Sequence, residues 1–149
     1  MDIVHEIDIA TTPERLYEAL TTQAGLAAWY TPDTAFMADE VQFQFAALTT
    51  LRFRVERLDL NRHVTWTGIE VPEEWKSTPI TFDIVPDRDS VTLRFRQSGF
   101  ADGYRPFGGF SYCWGQYIRS LKLLLEAGKG EPFGSAESIA CGTTPRSIR

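Results

Sequence analysis

Between residues 41 and 97 the chain alternates apolar and polar side chains. Val41, Phe43 and Phe45 are separated by Gln42 and Gln44, and Leu51, Phe53 and Val55 by Arg52 and Arg54. Val64 and Trp66 flank Thr65; Ile80, Phe82 and Ile84 flank Thr81 and Asp83; Val91, Leu93 and Phe95 flank Thr92 and Arg94. A period of two sends successive side chains to opposite faces, so each run is a strand with one apolar and one polar side. Short links such as Asp59–Arg62 and Pro86–Ser90 join these five strands into an antiparallel meander. Val71–Pro79, which holds Trp75, is the longer exception. A sheet that is polar on one face must cover the other.

The flanking segments supply the cover. Residues 2–10 also alternate and read as a first strand, which makes six. Thr12-Pro13-Glu14 then marks a helix start. Thr12 can cap, and Pro13 at the first helical position loses only an N–H that would be unpaired anyway. Leu16, Tyr17 and Leu20 follow at helical spacing, and Leu26–Tyr30 reads as a second short helix that ends at Pro32-Asp33. From Pro106 to Ala127 the apolar residues Phe107, Phe110, Trp114, Tyr117/Ile118, Leu121 and Leu124/Leu125 recur at intervals of three and four. Gly128 is placed to end this helix. At roughly 33 Å it is the only element long enough to cover the sheet. The expected fold is α+β: a curved antiparallel six-stranded sheet wrapped around a long C-terminal helix, with two short helices after the first strand. Residues 1–129 form this domain, and 130–149 read as a C-terminal tail.

Composition narrows the partners. The 149 residues carry a net charge of −5, with −8 in residues 1–75 and +3 in 76–149. No run of consecutive Lys or Arg offers a surface for phosphates, so no nucleic-acid partner is expected. No stretch is apolar for the length of a membrane span. The N-terminal MDIVHEIDIA has neither a basic n-region nor an apolar core of the kind that targets secretion. Cys113 and Cys141 form no framework spacing and read as reduced thiols. A cytoplasmic location is the resulting expectation.

Catalytic and metal-binding patterns are sparse. His5 and Glu6 point to opposite faces of their strand, and His63 sits in a turn, so neither histidine suggests a metal site. No Gly-x-Ser-x-Gly elbow is present, Cys113 has no basic neighbour in sequence, and Gly108-Gly109 precedes no phosphate-loop lysine. No catalytic residue, metal or cofactor is assigned. The chain is instead rich in aromatic residues, with ten Phe, five Tyr and four Trp. Phe43, Phe53, Trp66, Phe82 and Phe95 from the sheet and Phe110, Trp114 and Tyr117 from the helix all face inward. They either fill a core or line a cavity for a small hydrophobic or aromatic molecule. Trp29, Tyr30 and Trp75 lie on connecting segments and are expected at the mouth.

Four segments carry a family resemblance: IDIATTPERLYEALTTQAGLAAWYTP at 7–32, VERLDLNRHVTWTG at 55–68, SVTLRFRQSGF at 90–100 and FSYCWGQYIRSLKLLLEAG at 110–128. Together they resemble the START-like helix-grip superfamily. Within it they resemble the branch named for the C-terminal domain of the heat-shock-chaperone ATPase activator. The resemblance covers roughly residues 2–129, and Leu60 stands in a turn where the family often has Pro. It implies the helix-grip fold. It leaves function open, because this fold hosts lipid carriers, cyclases, receptors and cochaperone domains. Non-catalytic binding of a small hydrophobic molecule between helix and sheet comes first. A cochaperone-like or stress-response domain that binds a chaperone or another protein comes second. A cyclase- or hydrolase-type enzyme using the same cavity comes third. Oligomeric state is left open.

Overall fold

The computed structural model describes residues 1–136. The elements run β1 (Ile3–Ile9), α1 (Pro13–Thr21), α2 (Gln23–Trp29), β2 (Asp33–Met37), β3 (Glu40–Phe45), β4 (Thr49–Asp59) and β5 (His63–Glu70). A 3₁₀ turn (Glu73–Ser77), β6 (Ile80–Pro86), β7 (Val91–Gln97) and α3 (Phe107–Ala127) follow. The strands form one antiparallel sheet in the order β1-β7-β6-β5-β4-β3-β2. Register shifts between Arg52 and Phe53 and between Glu56 and Asp59 interrupt the β4–β5 ladder, and such irregularities bend a sheet.

The sheet has seven strands, not six. The extra one, β2, pairs with β3 from Asp33↔Gln44 to Met37↔Glu40. It was missed because its turn carries no Gly or Pro signal: Ala38 adopts the left-handed conformation there, at φ 58°. Ala46 does the same after β3, at φ 52°. α1 and α3 follow their sequence signals closely, whereas α2 begins at Gln23, three residues before the expected Leu26, and ends at Trp29. The Thr12 hydroxyl accepts from the Arg15 amide at 3.2 Å, and the Thr22 hydroxyl accepts from the Gly25 amide at 3.0 Å. Gly128 ends α3 at φ 85°.

The apolar faces of the strands and of α3 meet in a single core. Paired inward residues include Val41↔Phe53, Val55↔Trp66, Val64↔Phe82 and Phe82↔Phe95. From α3, Trp114, Ile118, Leu121 and Leu125 are buried against them. Gly115 faces β1 here, and a Cβ there would stand in ordinary contact with the His5 ring at 3.5 Å. His5 Nε2 lies 3.1 Å from the Ser111 carbonyl oxygen, so this histidine belongs to the helix–sheet interface. The outward face is held by cross-strand ion pairs, Arg94–Glu6 at 2.9 Å and Arg96–Asp2 at 2.7 Å. His63 is the first residue of β5 rather than a turn residue; it pairs with Asp83 and bonds Thr65 at 2.8 Å.

Trp114 joins the layers. It is 2% exposed, and its indole N–H donates to Gln97 Oε1 at 2.9 Å. Gln97 is itself fully buried, and its amide donates to the Thr78 hydroxyl at 3.1 Å. Trp114→Ala should cost about 3–5 kcal/mol, the usual range for deleting a packed large aromatic. Urea unfolding would measure it. Trp114→Phe keeps most of the ring contacts but orphans Gln97, and should cost about 1–3 kcal/mol.

The far end of α3 is clasped to β1. The Ala10 amide donates to Glu126 Oε2 at 2.8 Å, and Lys122 Nζ reaches the same carboxylate at 2.9 Å. The amide first, and Lys122 after it, hold the Glu126 carboxyl below its ordinary value of 4.5. A lowered native value favours the folded state at pH above the ordinary value, and this benefit drains as pH falls through the lowered one. Glu126→Gln should therefore lower Tm at neutral pH. The deficit should shrink on acidification, as read from melting curves across the carboxylate range.

Candidate ligand pocket

The helix residues Cys113, Trp114 and Tyr117 follow Phe110 by three, four and seven positions, and so share one helical face with it. That face does not meet the sheet alone. Tyr30, just after α2, stacks on Trp114 with ring centroids 5.4 Å apart, and meets Tyr117 edge-on at 4.8 Å. Trp75, from the 3₁₀ turn, stacks on Trp114 at 6.2 Å and meets Phe110 edge-on at 5.1 Å. A pocket of about 230 Å³ remains between this helical face, Tyr30 and Trp75. Phe45, Thr49 and Leu51 from the β3–β4 hairpin, Pro72 and Phe133 complete its lining.

Of the residues expected to bind ligand, Phe110, Trp114 and Tyr117 line this pocket, and Tyr30 and Trp75 join them from the expected mouth. Phe43, Phe53, Trp66, Phe82 and Phe95 do not. They are at most 1% exposed and pack ring against ring beneath it, as in Trp66–Phe82 at 4.9 Å and Phe82–Phe95 at 5.4 Å. Trp29 is also placed away from the opening: it is fully buried, and its N–H donates to the Ala19 carbonyl at 2.8 Å. The sequence reading passed over Phe45, Thr49, Leu51, Pro72, Cys113 and Phe133. Phe45 and Leu51 could have been found, since both continue the inward alternation of their strands. Cys113 follows Phe110 by one helical turn. Phe133 carried no signal, because it lies beyond the helix stop in a Gly- and Pro-containing stretch.

The pocket wall is almost wholly apolar. None of its residues is Asp, Glu, His, Lys or Arg. The polar side-chain groups of its residues are the hydroxyls of Tyr30, Tyr117 and Thr49, the Cys113 thiol and the indole N–H groups of Trp75 and Trp114. Among the described residues the indole N–H groups of Trp66 and Trp75 are buried without a hydrogen-bond partner, and no group of three or more His, Cys, Asp or Glu could hold a metal ion. Outside the rim the Tyr104 hydroxyl donates to Glu74 at 3.3 Å, tying the 3₁₀ turn to the approach to α3. Burial first, and the Glu74 charge after it, push the Tyr104 pKa upward.

Phe133 is held in place by a buried hydroxyl. Ser120, 1% exposed, donates to the Trp29 carbonyl at 2.9 Å and accepts from the Glu131 amide at 2.7 Å. Two residues on, the Phe133 amide donates to the Tyr30 carbonyl at 2.8 Å. Gly130 makes the approach feasible, because a Cβ there would stand 2.5 Å from the Ala28 carbonyl oxygen. The first residues of the expected tail thus lie against the domain. The rest of that tail, with Cys141, lies outside the described residues.

A single antiparallel sheet gripping a long C-terminal helix, with an apolar pocket beneath that helix, defines the helix-grip class of START-like domains. Within that class the chain belongs to the family described as Activator of Hsp90 ATPase homolog 1-like protein, whose profile matches residues 10–126. Among solved structures it is similar to the Aha1 dimer from Colwellia psychrerythraea, with 31% identity and a TM-score of 0.79 over 87% of this chain and 99% of that one. Protein MLL2253 from Mesorhizobium loti is 24% identical, with a TM-score of 0.72 over 84% of this chain and 96% of that one. Protein SSP2350 from Staphylococcus saprophyticus is 17% identical, with a TM-score of 0.73 over 87% and 95%. The last two show a shared fold alone. No curated protein matches the chain. No helix among the described residues is long and apolar enough to cross a membrane.

Ser120→Ala would leave the Trp29 carbonyl and the Glu131 amide without their shared partner. We expect a loss of about 1–3 kcal/mol, which for a chain of this size is a Tm drop on the order of 2–4 °C per kcal/mol. Differential scanning calorimetry would read it.

Proposed function

We propose that this protein binds a small aromatic or otherwise apolar molecule, without turning it over, in the pocket between α3, Tyr30 and Trp75. The observation that supports this most directly is the pocket itself: about 230 Å³ walled by rings and bare of ionisable acids and bases. An apolar cavity of ~150 Å³ is known to hold benzene, so this volume suits a single ring or a compact fused pair. Flat ring walls gain dispersion and edge-to-face contact with such a guest. Acid–base catalysis would call for titratable groups within hydrogen-bond reach of the guest, and the wall's side chains offer no carboxylate, imidazole, amine or guanidinium, only hydroxyls, indole N–H groups and one thiol.

A chaperone-associated role is the second reading, carried by the family match. It ranks behind the first because the aromatic residues that could have faced a protein are inside: Tyr30 is 2% exposed and Trp75 7%. Stimulation of a purified Hsp90 ATPase by the chain would support the second reading. An unchanged hydrolysis rate would remove it.

Indole serves as the probe for the first reading. At about 100 times its Kd a ligand adds about 2.7 kcal/mol to stability, which thermal-shift assays resolve. Tyr117→Arg should abolish the shift, since it places a charge in an apolar wall. Arg94→Ala, on the opposite face of the sheet, should preserve it. Absence of any shift with indole and with single-ring aromatic compounds would refute the proposal.

A further inference from the structure

The described residues carry a second hollow next to the pocket. It is a cleft of about 380 Å³ between Thr31–Asp33, the β3 end at Gln44–Ala46, and residues Pro132–Ser135. Phe133 lines both the inner pocket and this outer cleft. Its ring meets Phe45 edge-on at 5.2 Å, so the two close the gap between the hollows together. The hollows also differ in chemistry. The inner one is walled by rings, whereas the outer one is bordered by Thr31, Gln44 and Ser135, with Asp33 as its sole ionisable residue.

The segment that carries Phe133 is anchored near its start and flanked by two left-handed glycines. Glu131 is tied to Ser120 through its amide and to Arg119 through its carboxylate. Gly128 and Gly134 take left-handed conformations at φ 85° and 86°, on either side of that anchor. The ring itself is only half-buried, and its backbone is fastened by one hydrogen bond, from its amide to Tyr30.

Resting on the reading of the inner pocket as a ligand site, we infer that Phe133 is the specificity-determining residue of that site: its ring is the partition that restricts the guest to a compact aromatic. A molecule that seats a ring among Trp75, Trp114 and Tyr117 and runs a trailing chain into the outer cleft must pass through the place the Phe133 side chain occupies. With that side chain gone, pocket and cleft join into one channel. The channel is apolar at its inner end and has the Asp33 carboxylate at its outer end, and so suits an aryl-alkyl amine.

The test uses indole as the compact probe and phenylbutylamine as the extended one, titrated calorimetrically into the full chain and its variants. The unaltered protein should bind indole and should bind phenylbutylamine at least about tenfold more weakly. Phe133→Ala should close this gap, gaining about tenfold or more for phenylbutylamine as its methylenes become buried. Phe133→Leu is the second variant should the alanine form unfold, and it should give an intermediate preference. If indole binds but neither variant shifts the preference, the pocket reading stands and the partition role of Phe133 is overturned. Should neither compound bind any form of the protein, both fall.

Discussion

The packing of Trp114 is the interaction on which the rest of this structure depends. One indole on α3 touches Phe95 of the sheet at 4.6 Å, Tyr30 at 5.4 Å and Trp75 at 6.2 Å. It therefore fixes the helix against the sheet and both connecting segments against the helix. Its N–H reaches Gln97 on β7, and Gln97 reaches Thr78 at the exit of the 3₁₀ turn. A buried polar pair of this kind is favourable only when every partner is satisfied. The chain Trp114–Gln97–Thr78 meets that condition and so sets one register of helix on sheet among the several that ring packing alone would accept.

The pocket follows from how many large rings compete for the space beneath α3. Phe43, Phe53, Trp66, Phe82 and Phe95 fill the floor without leaving room for a guest. Along the N-terminal half of α3 one face still meets the sheet, through Trp114 on Phe95 and Ser111 on His5, and the neighbouring face meets other segments. That face rests on Tyr30, Trp75 and the β3–β4 hairpin, segments whose backbones must also satisfy their own hydrogen bonds. Their rings cannot all approach closely, and the unfilled volume collects there. Charge is kept out. The ion pairs of the sheet lie on its outer face, and Glu74 and Tyr104 meet outside the rim.

The last turn of α3 and the residues after it convert a helix end into a wall. Gly128 stops the helix, Gly130 passes against the Ala28 carbonyl, and Ser120 bridges α2, α3 and Glu131. A hydroxyl in the middle of a helix usually bonds back to its own turn or faces water. Here it is spent on two other segments, and the result is to place Phe133 over the pocket.

Much of this was written locally. The alternation from Val41 to Phe95 and the stripe from Phe107 to Leu125 encode strand and helix through periodicity alone, because burial on one side needs no knowledge of the partner. The caps Thr12 and Gly128 are local hydrogen-bond and backbone effects and were equally plain. What the sequence could not reveal depends on partners distant in the chain. β2 turns on Ala38, a residue with no preference for the left-handed conformation, so only its pairing with β3 shows it to be a strand. Inward-facing rings on the sheet all look alike in sequence. Whether Phe43 fills the floor or Phe45, two residues on, faces the pocket is decided by where Tyr30 and Tyr117 come to lie. Phe133 is the clearest case. Its neighbours predict a tail, and its position over the pocket comes from hydrogen bonds to Ser120 and Tyr30. Such contacts exist only after the sheet has closed around the helix.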